Sequence, residues 1–234
     1  MNLLSEAAYF LETSKRRSDQ HFLINEELLQ REVGYAALAK TDTVLEIGGG
    51  LGFLTRLLAA KAKTITIETD IRFIGALQKT GAEVIHADAL KVEFPKFTKF
   101  VSNIPYSISL PLTLKLLRSP FKSGVIIAQD EFAKKLAAKP GSKVYSRVSV
   151  IAQYYADIEL RDHVRKGDFA PPPKVESRIV LFKKKRKEDR AFESFVTDLF
   201  RQRRKMVPGT GKRPEQLALD EFITLFEARQ ELEK

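Results

Sequence analysis

The stretch from residue 43 to residue 61 constrains the fold most. Thr43-Val44-Leu45-Glu46-Ile47 is a short apolar run of strand character that passes directly into Gly48-Gly49-Gly50-Leu51-Gly52. From Phe53 to Lys61 the period changes, with Leu54, Leu57, Leu58 and Lys61 on the spacing of one helical face. A strand that turns on glycines into a helix brings bare backbone amides to the helix start, because glycine allows positive φ and has no Cβ to keep a ligand away. The alternation then repeats. Lys63–Glu68 is β-branched and alternating, Ile71–Thr80 is helical, and Glu83–His86 is a third strand. Phe100–Asn103 and Val125–Gln129 are the fourth and fifth strands, with helical Leu110–Arg118 between them. Strands separated by helices predict a parallel sheet with helices on both faces.

Val148–Tyr155 and Glu176–Lys183 are late strand candidates, the first continuing from a helix. Beyond Glu188 the strand signal stops. Arg190–Lys205 and Pro214–Glu233 are expected as two helices around Pro208-Gly209-Thr210-Gly211. The chain therefore divides near residues 184–190 into an α/β domain, 1–185, and a small basic helical C-terminal domain, 186–234.

The glycine loop is not a nicotinamide fingerprint. Gly-x-Gly-x-x-Gly counted from Gly48 would need glycine at 53, which is Phe53, and counted from Gly50 it would need glycine at 55, which is Thr55. Gly48, Gly50 and Gly52 instead form Gly-x-Gly-x-Gly, the commoner form in S-adenosylmethionine methyltransferases. Glu68 closes the second strand 20 residues after Gly48, where an acid can accept from both ribose hydroxyls. Asp88 follows the third strand, placed to accept from the adenine amino group. A tight structural turn would also explain the loop by itself, so the weight rests on the loop and the two acids together.

Asn103-Ile104-Pro105-Tyr106 ends the fourth strand. An aromatic amine is a poor nucleophile because its lone pair is delocalised into the ring. Two acceptors that hold the amino hydrogens direct the lone pair at an incoming electrophile. The Asn103 side-chain oxygen and the Ile104 carbonyl, turned out by Pro105, can be those acceptors, and Tyr106 can stack on the base. The plain alternative is a polar turn after a strand.

Charge adds a polyanionic partner. The stretch from Arg161 to Arg213 holds 17 Lys+Arg and 7 Asp+Glu, which accounts for the whole formal net charge of +10. Lys183-Lys184-Lys185-Arg186-Lys187 and Arg201-Gln202-Arg203-Arg204-Lys205 dominate it, and Lys15-Arg16-Arg17 forms a third cluster. With no cysteine, disulfides, zinc–thiolate sites and thiol catalysis are excluded. The longest apolar runs, such as Gly124–Ala128, fall far short of the ~20 residues that span a bilayer, and Met1–Phe10 lacks the pattern of a secretory signal. A cytoplasmic protein without metal is expected, and His21, His86 and His163 are not read as catalytic bases.

Further segments point to one family. They are Asp19-Gln20-His21-Phe22-Leu23, Tyr145-Ser146-Arg147-Val148-Ser149-Val150, Phe169-Ala170-Pro171-Pro172-Pro173-Lys174-Val175-Glu176-Ser177 and Phe200-Arg201-Gln202-Arg203-Arg204-Lys205. Together with the glycine loop and Asn103–Tyr106, in this order, they make the chain resemble the KsgA-type ribosomal RNA adenine dimethyltransferases over most of its length. The resemblance implies a Rossmann-like sheet that binds S-adenosylmethionine and forms N6,N6-dimethyladenosine, in two adjacent adenosines near the 3′ end of small-subunit ribosomal RNA. It implies that Gln20, His21 and Leu23 close over the cofactor, and that Gly48, Gly50, Glu68, Asp88 and Asn103 hold it. Phe169 would pack on the target base, the basic runs would hold RNA phosphates, and the protein would act as a monomer. The chain departs from the family pattern at His21 (usually Asn), Gly49 (usually Pro), Ser102 (commonly Gly) and Val207-Pro208 (usually Arg-Asn). The competing readings are a resistance-type methylase of large-subunit RNA, a non-catalytic ribosome-assembly factor and, further off, an adenine DNA methylase.

Overall fold

Apolar periodicity and capping residues divide the chain into short alternating elements. The structure, a computed structural model, describes residues 2–14 and 20–232, so Lys15-Arg16-Arg17 and Asp19 lie outside the described residues. The chain forms α1 (Leu3–Thr13), β1 (Phe22–Leu23), α2 (Glu26–Tyr35), β2 (Thr43–Ile47), α3 (Phe53–Ala59), β3 (Lys63–Glu68), α4 (Ile71–Gln78) and β4 (Glu83–His86). It continues with β5 (Lys99–Asn103), α5 (Ser109–Arg118), β6 (Ser123–Gln129), α6 (Asp130–Leu136) and α7 (Arg147–Tyr155). β7 (Ala156–Val164), β8 (Phe169–Ala170), β9 (Ser177–Lys184), α8 (Arg190–Arg201) and α9 (Leu219–Leu232) complete it. Asn2, Asn25, Asp70 and Asp189 cap α1, α2, α4 and α8, each side chain accepting from a backbone N–H of the first turn.

Seven strands make one sheet in the order β4-β3-β2-β5-β6-β9-β7. The expected parallel arrangement holds for β4, β3, β2, β5 and β6, whereas β9 runs antiparallel to both β6 and β7. The segment joining β7 to β9 contains no helix long enough to cross the sheet, so the chain returns beside the strand it has just left.

Period-two alternation assigns the two faces. Leu45, Ile47, Phe100, Ile126, Ala128, Val180 and Phe182 share an apolar cluster with α5, α6, α7, α8 and α9. Val44, Val101, Val125, Ile127 and Ile179 lie in the other, with α2 and α3. Phe100 fits only because its cross-strand partner is Gly124, where a Cβ would stand 2.1 Å from the ring. The C-terminal helices belong to the first cluster through Phe192, Val196, Phe222 and Phe226, with Phe192 stacked on Tyr154 at 3.8 Å.

Residues 148–155 are helix α7, which corrects the strand expectation. Seven of its nine residues are buried, and burial all round removes the stripe that marks a helix in sequence. The strand follows directly as β7, whose exposed Asp157, Glu159, Arg161 and His163 suit a sheet edge. α8 stops at Arg201 rather than Lys205, ahead of a turn closed by Val207 and Lys212 with positive φ at Gly209 and Gly211. Pro214–Gln216 is a separate 3-10 turn ahead of α9. Among the described residues no helix is long and apolar enough to cross a membrane.

Candidate active site

The sheet itself opens the site. β2 runs on to β3 and β5 to β6, so the strand order reverses between β2 and β5, the place where open α/β sheets bind ligands. The β2–β5 ladder pairs Val44 with Lys99 and Leu45 with Phe100 and then ends. Beyond it, the fully buried Ser102 bridges the strands, its Oγ donating to the Ile47 carbonyl at 2.7 Å and accepting from the Ile47 amide at 3.3 Å. At the carboxyl ends lies a cavity of about 320 Å³.

The glycine loop forms its floor. Gly48, Gly50 and Gly52 have φ of 78°, 52° and 79°, a region that disfavours any residue with a Cβ. The Gly48 amide donates to the Ile67 carbonyl at 2.8 Å, and the Gly50 amide to Glu68 Oε2 at 3.0 Å. At Gly49 a Cβ would come within 2.7 Å of both Thr66 Oγ1 and Leu77 Cδ2, so the loop lies pressed against β3 and α4.

Carboxylates surround the floor. Glu68 accepts from the Gly50 and Asp70 amides, the latter at 2.8 Å, and with about two lone pairs per oxygen it keeps acceptor capacity toward the cavity. Asp70 accepts from Arg72 and, at 2.9 Å, from Gln20 Nε2. Arg72 holds the Asp70 carboxyl well below its usual range against the opposing effect of burial. Gln20 therefore braces the N-terminal segment at the cavity wall. Asp88 turns the chain by accepting from the Leu90 amide at 2.9 Å and stands half-buried at the rim. The lining includes Glu46, Glu68, Asp70 and Asp88 and no lysine or arginine among the described residues.

The far end holds Asn103–Tyr106. The Ile104 amide is tied to the Ile127 carbonyl at 3.3 Å, and Pro105, which has no N–H, turns the chain. Tyr106 is anchored at its hydroxyl on Ser177 Oγ at 2.5 Å, and His21 stacks on its ring at 5.8 Å. His21 Nδ1 lies 2.8 Å from the Pro171 carbonyl; a carbonyl only accepts, so that nitrogen carries the proton. Phe22 pairs with Ala170 and Leu23 with Phe169, closing two segments that are distant in sequence over the cavity. Leu23 and Phe169 both line the cavity, yet both are buried in the α2–α3 cluster, so Phe169 is core and wall at once.

Sequence reasoning gave Glu32, Glu46 and Ser102 no part in the site, Ser102 being noted only as a departure from the family pattern. Glu32 was visible as a charge among Leu28, Leu29 and Val33 on the buried face of α2. The basic residues need one correction. Lys183, Lys185, Lys187, Arg201, Arg203, Arg204 and Lys205 are exposed, but Lys184 turns inward. It donates to the Leu117 carbonyl beneath the Phe121 and Tyr155 rings, and burial lowers it to about 8. Strand alternation puts it on the opposite face from Lys183 and Lys185. Arg186 lies over the Tyr154 ring at 4.9 Å, and Lys185 pairs with Asp157 at 3.1 Å.

This architecture is that of methyltransferases. A dimethyladenosine transferase from Plasmodium falciparum superposes with a TM-score of 0.74 at 28% identity, covering 88% of this chain and 96% of that one. The 23S rRNA methyltransferase ErmE gives 0.71 at 28% identity over 88% and 98%. The chain belongs to the ribosomal RNA adenine dimethylase family, whose profile matches residues 12–221. A "Probable ribosomal RNA small subunit methyltransferase A" of Pyrococcus abyssi is 46% identical over 82% of this chain and 73% of its own length. A protein so described from Methanosarcina acetivorans is 44% identical over 80% and 74%. The two solved structures are about equally similar in shape, so sequence identity, not fold, favours the small-subunit relatives.

Proposed function

We propose that the protein transfers methyl groups from S-adenosylmethionine to N6 of adenosine in small-subunit ribosomal RNA, two adjacent adenosines near the 3′ end each becoming N6,N6-dimethyladenosine. The observation that carries this reading is an acidic cavity, free of lysine and arginine among its described lining, that ends at Asn103-Ile104-Pro105-Tyr106 in a chain of net charge +10. A phosphorylated dinucleotide would meet four acids there, whereas a cationic adenosyl ligand finds acceptors for its hydroxyls and amino group. The residues therefore fit S-adenosylmethionine, with Glu68 on the ribose, Asp88 on the adenine and the loop of Gly48 and Gly50 beneath. Gln20, His21 and Leu23 cover it.

When bound, S-adenosylmethionine supplies an electrophilic sulfonium methyl. Asn103 Oδ1 and the Ile104 carbonyl would accept the two amino hydrogens of the target base, which directs its lone pair out of conjugation and toward an incoming methyl. Tyr106, fixed by Ser177, holds the base by stacking, and Phe169 backs the wall. Each transfer would break the S–CH3 bond and leave S-adenosylhomocysteine, and the acidic aminium group would pass its proton through Asn103 or to water without a strong base. The exposed cations of the C-terminal third hold phosphates and give affinity without sequence choice.

The test is methyl transfer from labelled S-adenosylmethionine to undermethylated small subunits and, in parallel, to bare large-subunit RNA, with Asn103→Ala as control. Dimethyladenosine in the small subunit, reduced about a hundredfold or more in the control, is the expected result. Label in large-subunit RNA would transfer the protein to the resistance-type class, and subunit binding without methylation would leave an assembly factor.

A further inference from the structure

Glu32 stands at the third buried position of α2, after Leu28 and Leu29 and before Val33, and is fully buried. No lysine, arginine or histidine among the described residues lies within ion-pair distance of it. Its partner is Asn103. With the amide assigned by its neighbours, Asn103 Nδ2 donates to both Glu32 carboxylate oxygens at 3.2 Å. Period two on β5 puts Asn103 and Val101 on the face that α2 covers, so the contact follows from the fold.

A buried carboxyl without a cation weakens the fold, so this residue type is not placed here for stability. Burial raises the Glu32 carboxyl well above the ordinary range, and the nearby Glu46 adds to that. Neutral or ionised, the group keeps oxygen lone pairs for an amide N–H. A cost in stability borne directly behind a functional side chain points to a task in the chemistry.

That task follows from the asymmetry of an amide. The two ends of the Asn103 side chain are nearly equal in size, and a half-turn exchanges acceptor for donor. An NH2 facing the cavity would meet the amino hydrogens of the base and repel them. We infer that Glu32 is a positioning residue: by accepting from Asn103 Nδ2 it holds the amide with Oδ1 toward the cavity and the incoming amine. The inference rests on the reading of Asn103–Tyr106 as the methyl-acceptor site.

The experiment compares Glu32→Leu, Glu32→Gln, Asn103→Ala and the Glu32→Leu/Asn103→Ala double variant in single-turnover methyl transfer to undermethylated small subunits. Calorimetric binding of S-adenosylhomocysteine and thermal melting accompany it. Glu32→Leu should slow transfer about tenfold or more while binding changes less than about twofold. Glu32→Gln, whose Oε1 still accepts, should recover most of the rate. In the Asn103→Ala background Glu32→Leu should cost nothing further, because the group it positions is gone. Should Glu32→Leu not fold, Glu32→Ala carries the same comparison. A Glu32→Leu rate within about twofold of wild type, or an equal loss with Asn103 absent, would overturn the inference. If Asn103→Ala itself transfers at the wild-type rate, the acceptor-site reading falls; if Asn103→Ala alone is impaired, that reading stands and the role of Glu32 falls.

Discussion

Glu46 illustrates how one buried acid sets the response of the fold to pH. It is 1% exposed on β2, accepts from Thr55 Oγ1 at 2.7 Å, and burial pushes it up to about 7 from 4.5. Between those values the native protein keeps a proton that the unfolded chain has released, so stability falls as pH rises through that window and levels off above it. The change amounts to about 3 kcal/mol. Glu46→Gln keeps an acceptor for Thr55 and loses one of the two buried titrations, so its urea midpoint should drop clearly less between pH 5 and pH 8 than that of the wild type. The sequence places Glu46 on a strand just before the glycine loop. Its burial is not legible there, because that depends on α2 and α3 covering the face on which Glu46, like Glu32 and Thr55, lies.

Among the elements, α8 is locked to α5 and α7 by a partly buried ionic clasp. Arg118 Nε and Nη2 donate to the two Glu193 oxygens at 2.8 and 2.6 Å, and the Tyr155 hydroxyl adds a bond at 2.7 Å. Burial alone would raise the Glu193 carboxyl, but these donors outweigh it and hold it below the usual range. Removing one partner strands the other, so Glu193→Leu should lower unfolding free energy by about 3 kcal/mol, and Arg118→Met in the same chain should restore much of it. Denaturant melts of the two single variants and the double would measure this. The helix that carries Tyr155 is the element the sequence reading misjudged. Its apolar run is as compatible with a buried strand as with a helix enclosed on every side, and only the packing of α5, α6, α8 and β7 around it decides between them. The charged alternation of β7 concealed a true strand for the opposite reason, since an edge strand shows little burial.

For the molecule as a whole, charge is sorted rather than merely abundant: acids collect at the cavity, and exposed cations at the C-terminal third. If Arg201, Arg203, Arg204 and Lys205 each contact one phosphate, replacing all four by glutamine should flatten the slope of log binding constant against log salt by about 3 to 4. Filter binding of small-subunit RNA across a salt series would check it, and S-adenosylhomocysteine affinity should not change. The sequence by itself determined the alternation of strands and helices from β2 to β6 and the placing of Gly48, Glu68, Asp88 and Asn103 at strand ends. Those are local facts, set by the period of burial within a few consecutive residues. Only the tertiary structure decided that β9 inserts antiparallel between β6 and β7, that residues 20–23 close on residues 169–171, that Lys184 turns inward, and that Glu32 backs Asn103. Each of these joins side chains that are remote along the chain, and the fate of a buried polar group is settled by the partner that meets it in space rather than by its neighbours in sequence.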